Sequence, residues 1–364
     1  MINIILKSMT ELSLKDRNRV VEIFNIAMST TPYSQRISID DVPEKLIFGH
    51  KGLLDLKNYF NQIDPDRMED PFYQVFSQFS MDKKGEDFSC YHFKRLDRAM
   101  QLIETRSIAL NTLFSNRDND YAEFEEFFRR YGPLENLIPS TYKRPEPGDI
   151  SVIIPRDRKV DELKNQIYVT CFTKCYDNPR FWREYALGKG LCFRFRFYGY
   201  RNDVIQNFGE LKRNVQHLYQ LREVGYDNDG YLYDFLNEIN YRLGQEFGLT
   251  LFSRGIPIAA QFYKRARYSW EQEIRLAIDL PFVQMRYAFP LENHLKIIQS
   301  GDRQLILVPI AEPQKSPFFG MELQDVFCSE GLAEIGLVKK VINENFPKTR
   351  IWEYSEWTEV MPYH

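Results

Sequence analysis

The chain has 364 residues, 43% hydrophobic and 15% aromatic, which supplies a packed interior and excludes a disordered polymer. A formal net charge of −3 leaves no overall basic field, so nucleic-acid binding would have to come from local clusters. No stretch has the apolar length of a membrane helix, the short apolar run in residues 1–7 lacks the basic lead and cleavage site of a signal peptide, and five cysteines form an odd set. These features point to a cytoplasmic protein with free thiols, no membrane partner and no metal site.

In chain order, residues 1–88 read as a helical N-terminal region. Ser13 is placed to cap a helix through Val20, Val21, Ile23, Phe24 and Ile26. A second helix is expected over 52–60, broken by Asp64-Pro65-Asp66, and another element starts at Asp70-Pro71. The polar junction 83–87 marks the boundary to an α+β domain over 89–364. There, 89–93 reads as a strand, Leu96, Ala99, Met100 and Ile103 form a helical stripe, and 108–110 reads as the next strand. A polar turn at 116–120 leads to a helix through Arg130, and 133–155 is a proline-punctuated connection with a short strand at 150–154. Ile167–Thr173 is a β-branched and aromatic strand. Phe181 to Leu187 makes a helical turn or two, and 191–197 alternates apolar and basic residues, as a strand with one wet face does. A helical insertion covers about 204–252, interrupted at 225–230, and strands resume near 275–278, 304–308 and 335–338.

Four constellations can carry chemistry. On a strand, Glu271, Glu273 and Arg275 share a face, and two close carboxylates support general acid or base work. The same spacing also fits an exposed strand face, or a helix with a Glu271–Arg275 pair. His92 lies in the aromatic run Tyr91-His92-Phe93, placed either to bond a ligand hydroxyl or to sit in the core. Trp182 and Tyr185 are three apart, as a stacking pair or as core, and Gly188-Lys189-Gly190 reads as a turn into the next strand. Lys264, Arg265 and Arg267 beside Tyr263 and Tyr268, and Arg194, Arg196 and Arg201 among Phe193, Phe195, Tyr198 and Tyr200, suit phosphates and bases or an ordinary wet face. Cys171 and Cys175 have no second pair or nearby histidine to complete a metal site. No nucleophile elbow, HExxH motif, phosphate loop or GxGxxG turn is present.

Taken in order, Tyr91-His92, Asn119-Asp120-Tyr121-Ala122-Glu123, Cys171-Phe172-Thr173, Trp182, Tyr185, Gly190, Lys264, Glu271, Glu273 and Arg275 resemble a bacterial family known as domain of unknown function 2971. That family includes abortive phage-resistance proteins. The resemblance covers roughly 90–340 and departs at Tyr121 and Ala122, where the family has Pro-Phe. A second resemblance, in the order of His92, the Leu96–Ile103 stripe, 108–110 and Glu271/Glu273, is to ADP-ribosyltransferases. It implies a mixed or antiparallel ADP-ribosyltransferase-like β core with flanking helices.

By these resemblances the protein is expected to be an NAD-dependent ADP-ribosyltransferase, or NAD-consuming toxin, of anti-phage abortive infection. It would modify nucleic acid, RNA included, or protein, with NAD as substrate and an antitoxin or chaperone as partner. Glu273 would stabilise the oxocarbenium-like centre and Glu271 would orient the acceptor. His92 would hold the NAD ribose or amide, Tyr91 or Tyr185 would stack on nicotinamide, and Thr173 and Trp182 would complete the NAD contacts. The alternatives are a non-catalytic sensor or adaptor in phage defence and a metal-dependent toxin nuclease using Glu271, Glu273 and Asp120.

Overall fold

A computed structural model of the chain describes residues 6–32, 36–42, 47–50, 80–112, 167–199, 219–226, 231–252, 261–279, 296–300, 303–312 and 319–360. The elements expected at 52–60, 64–71, 116–130 and 150–154, and the segment 204–218, lie outside these residues. Asn119, Asp120 and Glu123 lie outside them as well.

The described strands are, in chain order, β1 (Leu6–Ser8), β2 (Ile47–His50), β3 (Phe88–Arg95), β4 (Ser107–Thr112), β5 (Ile167–Thr173), β6 (Gly190–Tyr198), β7 (Gln220–Glu223) and β8 (Gly225–Tyr226). They continue as β9 (Leu249–Phe252), β10 (Tyr263–Lys264), β11 (Glu273–Asp279), β12 (Lys296–Ser300), β13 (Arg303–Pro309), β14 (Gly320–Cys328) and β15 (Arg350–Trp352). The described α-helices are α1 (Leu14–Met28), α2 (Leu96–Thr105), α3 (Pro179–Glu184), α4 (Tyr231–Phe247), α5 (Ile335–Asn345) and α6 (Tyr354–Val360). The protein is thus mixed α+β, with a large mixed sheet of mostly antiparallel strands and several helices. No described helix is long and apolar enough to cross a membrane.

The chain divides into two compact units: 1–81, 117–162 and 224–267 form the first, and 82–116, 163–223 and 268–364 the second. In the first unit, Ser13 caps α1 by accepting from the Asp16 amide, and Val20, Ile23 and Phe24 are fully buried. Helix α1 packs against α4, whose Phe235, Leu236, Ile239 and Leu243 are also buried, and Arg19 forks onto Glu246. The N-terminal helix and the helix of the expected insertion therefore belong to one unit. The same unit holds the antiparallel sheet β1-β2-β9 and the parallel pair β8-β10.

The second unit is built on the sheet β12-β13-β4-β5-β3-β6-β14-β15, with β11 beside β5 and β7 beyond β11. Strand β11 runs along one edge of β5 for its full length. The other edge is shared: Tyr168 and Val169 pair with β4, while Thr173 pairs with Tyr91 of β3. The sheet forks there into two wings. One face carries Phe172, Phe193, Phe195, Ile274, Leu276 and Met321 against α2 and α5. The helical stripe fits this: Ala99 and Ile103 are fully buried, and Leu96 and Met100 pack on the same core. The opposite face carries an aromatic cluster, Phe93, Phe181, Trp352 and Trp357, drawn from the sheet, α3 and α6. Each buried Phe contributes about 2–3 kcal/mol relative to exposure, so both layers matter to stability.

Two sequence expectations are corrected. Residues 335–338 are not a strand but the first turn of α5, because Val338 and Ile342 repeat at helical spacing, and both are buried. Within the insertion expected to be helical, Gln220–Glu223, Gly225–Tyr226 and Leu249–Phe252 form β7, β8 and β9. Strand β14 has no counterpart in the sequence reading. A bulge between Leu323 and Asp325 shifts the inward residues from Met321 and Leu323 to Val326 and Cys328. The period-two pattern is broken in mid-strand.

Candidate active site on the aromatic face of the sheet

Glu273 is the first residue of β11, and Arg275 follows on the same face. The Arg275 Nε–H donates to Glu273 Oε1 at 2.7 Å, and both side chains are almost wholly buried. Glu271 is not on that strand, contrary to the sequence expectation. It ends the 3-10 turn Ala266–Glu271, and Gln272, with φ 42°, turns the chain into β11. The reversal is held by the Lys174 amide, which donates to the Gln272 carbonyl.

The two acids are nonetheless tied to one place. Thr173 pairs with Glu273 in register, and its Oγ1 donates to the Glu271 carbonyl at 2.6 Å while accepting from the Cys175 amide. The Tyr185 hydroxyl, at the end of α3, donates to Glu271 Oε1 at 3.1 Å. Trp270 packs on Phe181, and the exposed Arg180 guanidinium lies over its outer face, 4.8 Å from the ring centroid. Tyr91 shares a face with Thr173 and packs on Tyr176 and Phe327. Burial pushes its hydroxyl up to about 12, so it stays a neutral donor. Glu271, Glu273, Thr173, Tyr185 and Tyr91 therefore belong to one face of the second unit.

Trp182 is part of the same aromatic cluster, but as packing. Phe93 lies at right angles to its ring, centroids 5.1 Å apart, and Trp357 stacks on it at 5.7 Å, so one face is already taken. It is not an open stacking platform.

His92 is not brought to the group. It alternates with Tyr91 along β3 and points to the other face, against Phe172 and Phe195. Its Nδ1 meets the Cys171 carbonyl at 2.7 Å, and since a carbonyl only accepts, Nδ1 carries the proton. Cys171 lies at the fork of the sheet, between the residues of β5 that pair with β4 and the one that pairs with β3. His92 thus ties β3 to β5 through a side chain at the fork. This corrects its expected role at the ribose or amide of NAD.

Burial, reinforced by Lys94, holds His92 well below its ordinary value of 6.5. The unfolded chain therefore binds a proton that the native state refuses, and stability falls as pH drops below about 6.5. Each further pH unit removes up to about 1.4 kcal/mol until the folded value is reached. Thermal melting from pH 7.5 to 5 is expected to show this loss, and a His92→Gln protein is expected to show a flatter profile. Equal slopes in the two proteins would contradict the assignment.

None of the five cysteines is in a disulfide, and burial raises the thiols of Cys90, Cys192 and Cys328. Among the described residues, no three His, Cys, Asp or Glu side chains come together as a metal site. Lys264 is buried in β10 of the first unit, and the charged groups on the aromatic face include Arg194 and Asp325, paired at 3.3 Å. Asp325 escaped the sequence reading because β14 did; Arg194 was visible as the polar member of an alternating strand.

No protein-family model, no curated protein and no solved structure matches this chain.

Proposed function

We propose that the second unit cleaves the nicotinamide–ribose bond of NAD and transfers ADP-ribose to an acceptor, on an ADP-ribosyltransferase-like core. The observation that carries this reading is the pair of buried acids, Glu271 and Glu273: Thr173 holds the Glu271 backbone and faces Glu273 in register, and the Tyr185 hydroxyl bonds the Glu271 carboxylate. The forked sheet supports it by opening two wings around β5. As the C1′–N bond breaks, its electrons leave with nicotinamide, and positive charge builds on C1′ and the ring oxygen. The Glu273 carboxylate stabilises that charge, in the way carboxylates assist glycosidic cleavage. Arg275 fixes its orientation through the 2.7 Å bond. Glu271, steadied by Tyr185, takes the proton from the acceptor as its oxygen or nitrogen bonds to C1′. With water as acceptor the product is free ADP-ribose.

The phage-defence setting, a nucleic-acid or protein target and a neutralising partner rest on the family resemblance alone. A second reading, a non-catalytic sensor or adaptor, is favoured by one observation: Glu273 already spends one oxygen on Arg275 in a buried pair. Labelled NAD separates the two readings. Purified protein is incubated with it, alone and with RNA, DNA or lysate from infected and uninfected cells. Release of nicotinamide with label transferred or freed is expected. No release under any of these conditions overturns the enzymatic reading.

A further inference from the structure

The strand register places a continuous row of polar side chains across the aromatic face. Glu273 stands opposite Thr173, Thr173 opposite Tyr91, Tyr91 opposite Arg194, and Arg194 opposite Asp325. From Glu273 to Arg194 is three strand spacings, about 14 Å. An extended dinucleotide is of that length. The far end of the row has the groups that a nucleoside phosphate requires. Tyr91 and Tyr176, ring centroids 5.3 Å apart, are both partly exposed. The Arg194 side chain is one-third exposed and held by Asp325, which is itself fixed by the Trp352 indole N–H at 2.8 Å.

Arg194 has one feature that packing does not explain. Its Nη1 is used on Asp325, but its Nε–H is buried and meets no acceptor among the described residues. A buried donor left in this way costs stability unless something accepts from it. The exposed third of the side chain is the part that a phosphate reaches.

We infer that Arg194, Tyr91 and Tyr176 form the subsite for the adenylate half of the dinucleotide. Arg194 binds a phosphate oxygen, and the exposed parts of the tyrosine pair, backed by Phe327, take the purine ring. Asp325 and Trp352 are positioning residues that aim the guanidinium. This rests on the proposed NAD reaction for the identity of the dinucleotide. The row of residues itself is independent of whether the reaction occurs.

The probe is AMP, titrated calorimetrically into the whole protein, into Arg194→Gln, into Tyr176→Ala and into Glu273→Gln. Tyr176 lies in a loop, so its variant stays informative if loss of Arg194 unsettles Asp325. AMP is expected to bind the unaltered protein and Glu273→Gln alike, and at least about tenfold more weakly to each of the other two. Absence of AMP binding to the unaltered protein, or unchanged binding in both Arg194→Gln and Tyr176→Ala, overturns the subsite. AMP binding with this pattern in a protein that never releases nicotinamide upholds the subsite and overturns the reaction alone.

Discussion

Replacing Glu273 by Gln is expected to lower the rate of nicotinamide release by about a thousandfold while the protein stays folded. The geometry separates the two consequences. The amide oxygen of Gln can still accept from Arg275 Nε, so the short buried bond survives. What is lost is the negative charge, which in the proposed reaction stabilises the charge building on C1′ and which neutralises the Arg275 guanidinium. Removing one partner of a buried pair costs about 3–5 kcal/mol in the general case, and the retained bond places this substitution at the low end. Circular dichroism and a denaturant titration measure that cost apart from the rate. A folded Glu273→Gln protein that turns over NAD at the unaltered rate contradicts the assignment. If kcat falls with KM unchanged, the charge acts in the transition state.

The second large effect lies outside the chemistry. Gly190→Ala is expected to destabilise the second unit by about 3 kcal/mol or more, because the added methyl has nowhere to go. A Cβ built on Gly190 falls 2.2 Å from the Lys94 carbonyl oxygen and 2.8 Å from the Ala186 Cβ. The first contact is backbone of the neighbouring strand: Gly190 pairs with Arg95, and Leu191 with Lys94. Relief requires β3 to move away from β6, which would disturb the row from Tyr91 to Arg194. The turn before it is equally constrained, with Leu187 at φ 53° and Gly188 at φ 70°. Urea unfolding is the measurement, and a change within about 0.5 kcal/mol would contradict the contact. Gly190 is one of the landmarks of the family resemblance, and its place in this chain is explained by space.

How much was legible depended on whether neighbours agreed with local pattern. Ile167–Thr173 is the strand its β-branched and aromatic run implies, to the residue. The alternation of β6, with Phe193, Phe195 and Phe197 inward and Arg194 and Arg196 outward, was equally plain. Strand β14 was hidden by its bulge, and with it Asp325. The pairing of Tyr91 with His92 at one ligand failed for an elementary reason: adjacent strand residues point to opposite faces, so the dipeptide gives one side chain to each. The Glu271/Glu273 pair was found, but for an incomplete reason. A strand was expected through both, whereas Gln272 in the left-handed region breaks it, and Thr173 and Tyr185 hold Glu271 beside the start of the strand instead. Thr173 and Tyr185 entered through the resemblance and through helical spacing; their bonds to Glu271 are tertiary and leave no local signature. Trp182, equally visible, is packing because Trp357 stacks on it and Phe93 meets it at right angles.

NAD bound across the Glu273–Arg194 row, with its scissile bond at Glu273, is the arrangement to look for in a crystal structure of the Glu273→Gln protein with NAD, since the slowed variant retains the substrate. The nicotinamide ribose is expected beside residues 271 and 273 and the adenylate beside Arg194 and Tyr176. NAD on the His92 face of the sheet, or a crystal soaked to saturation with no NAD on the row, would contradict it.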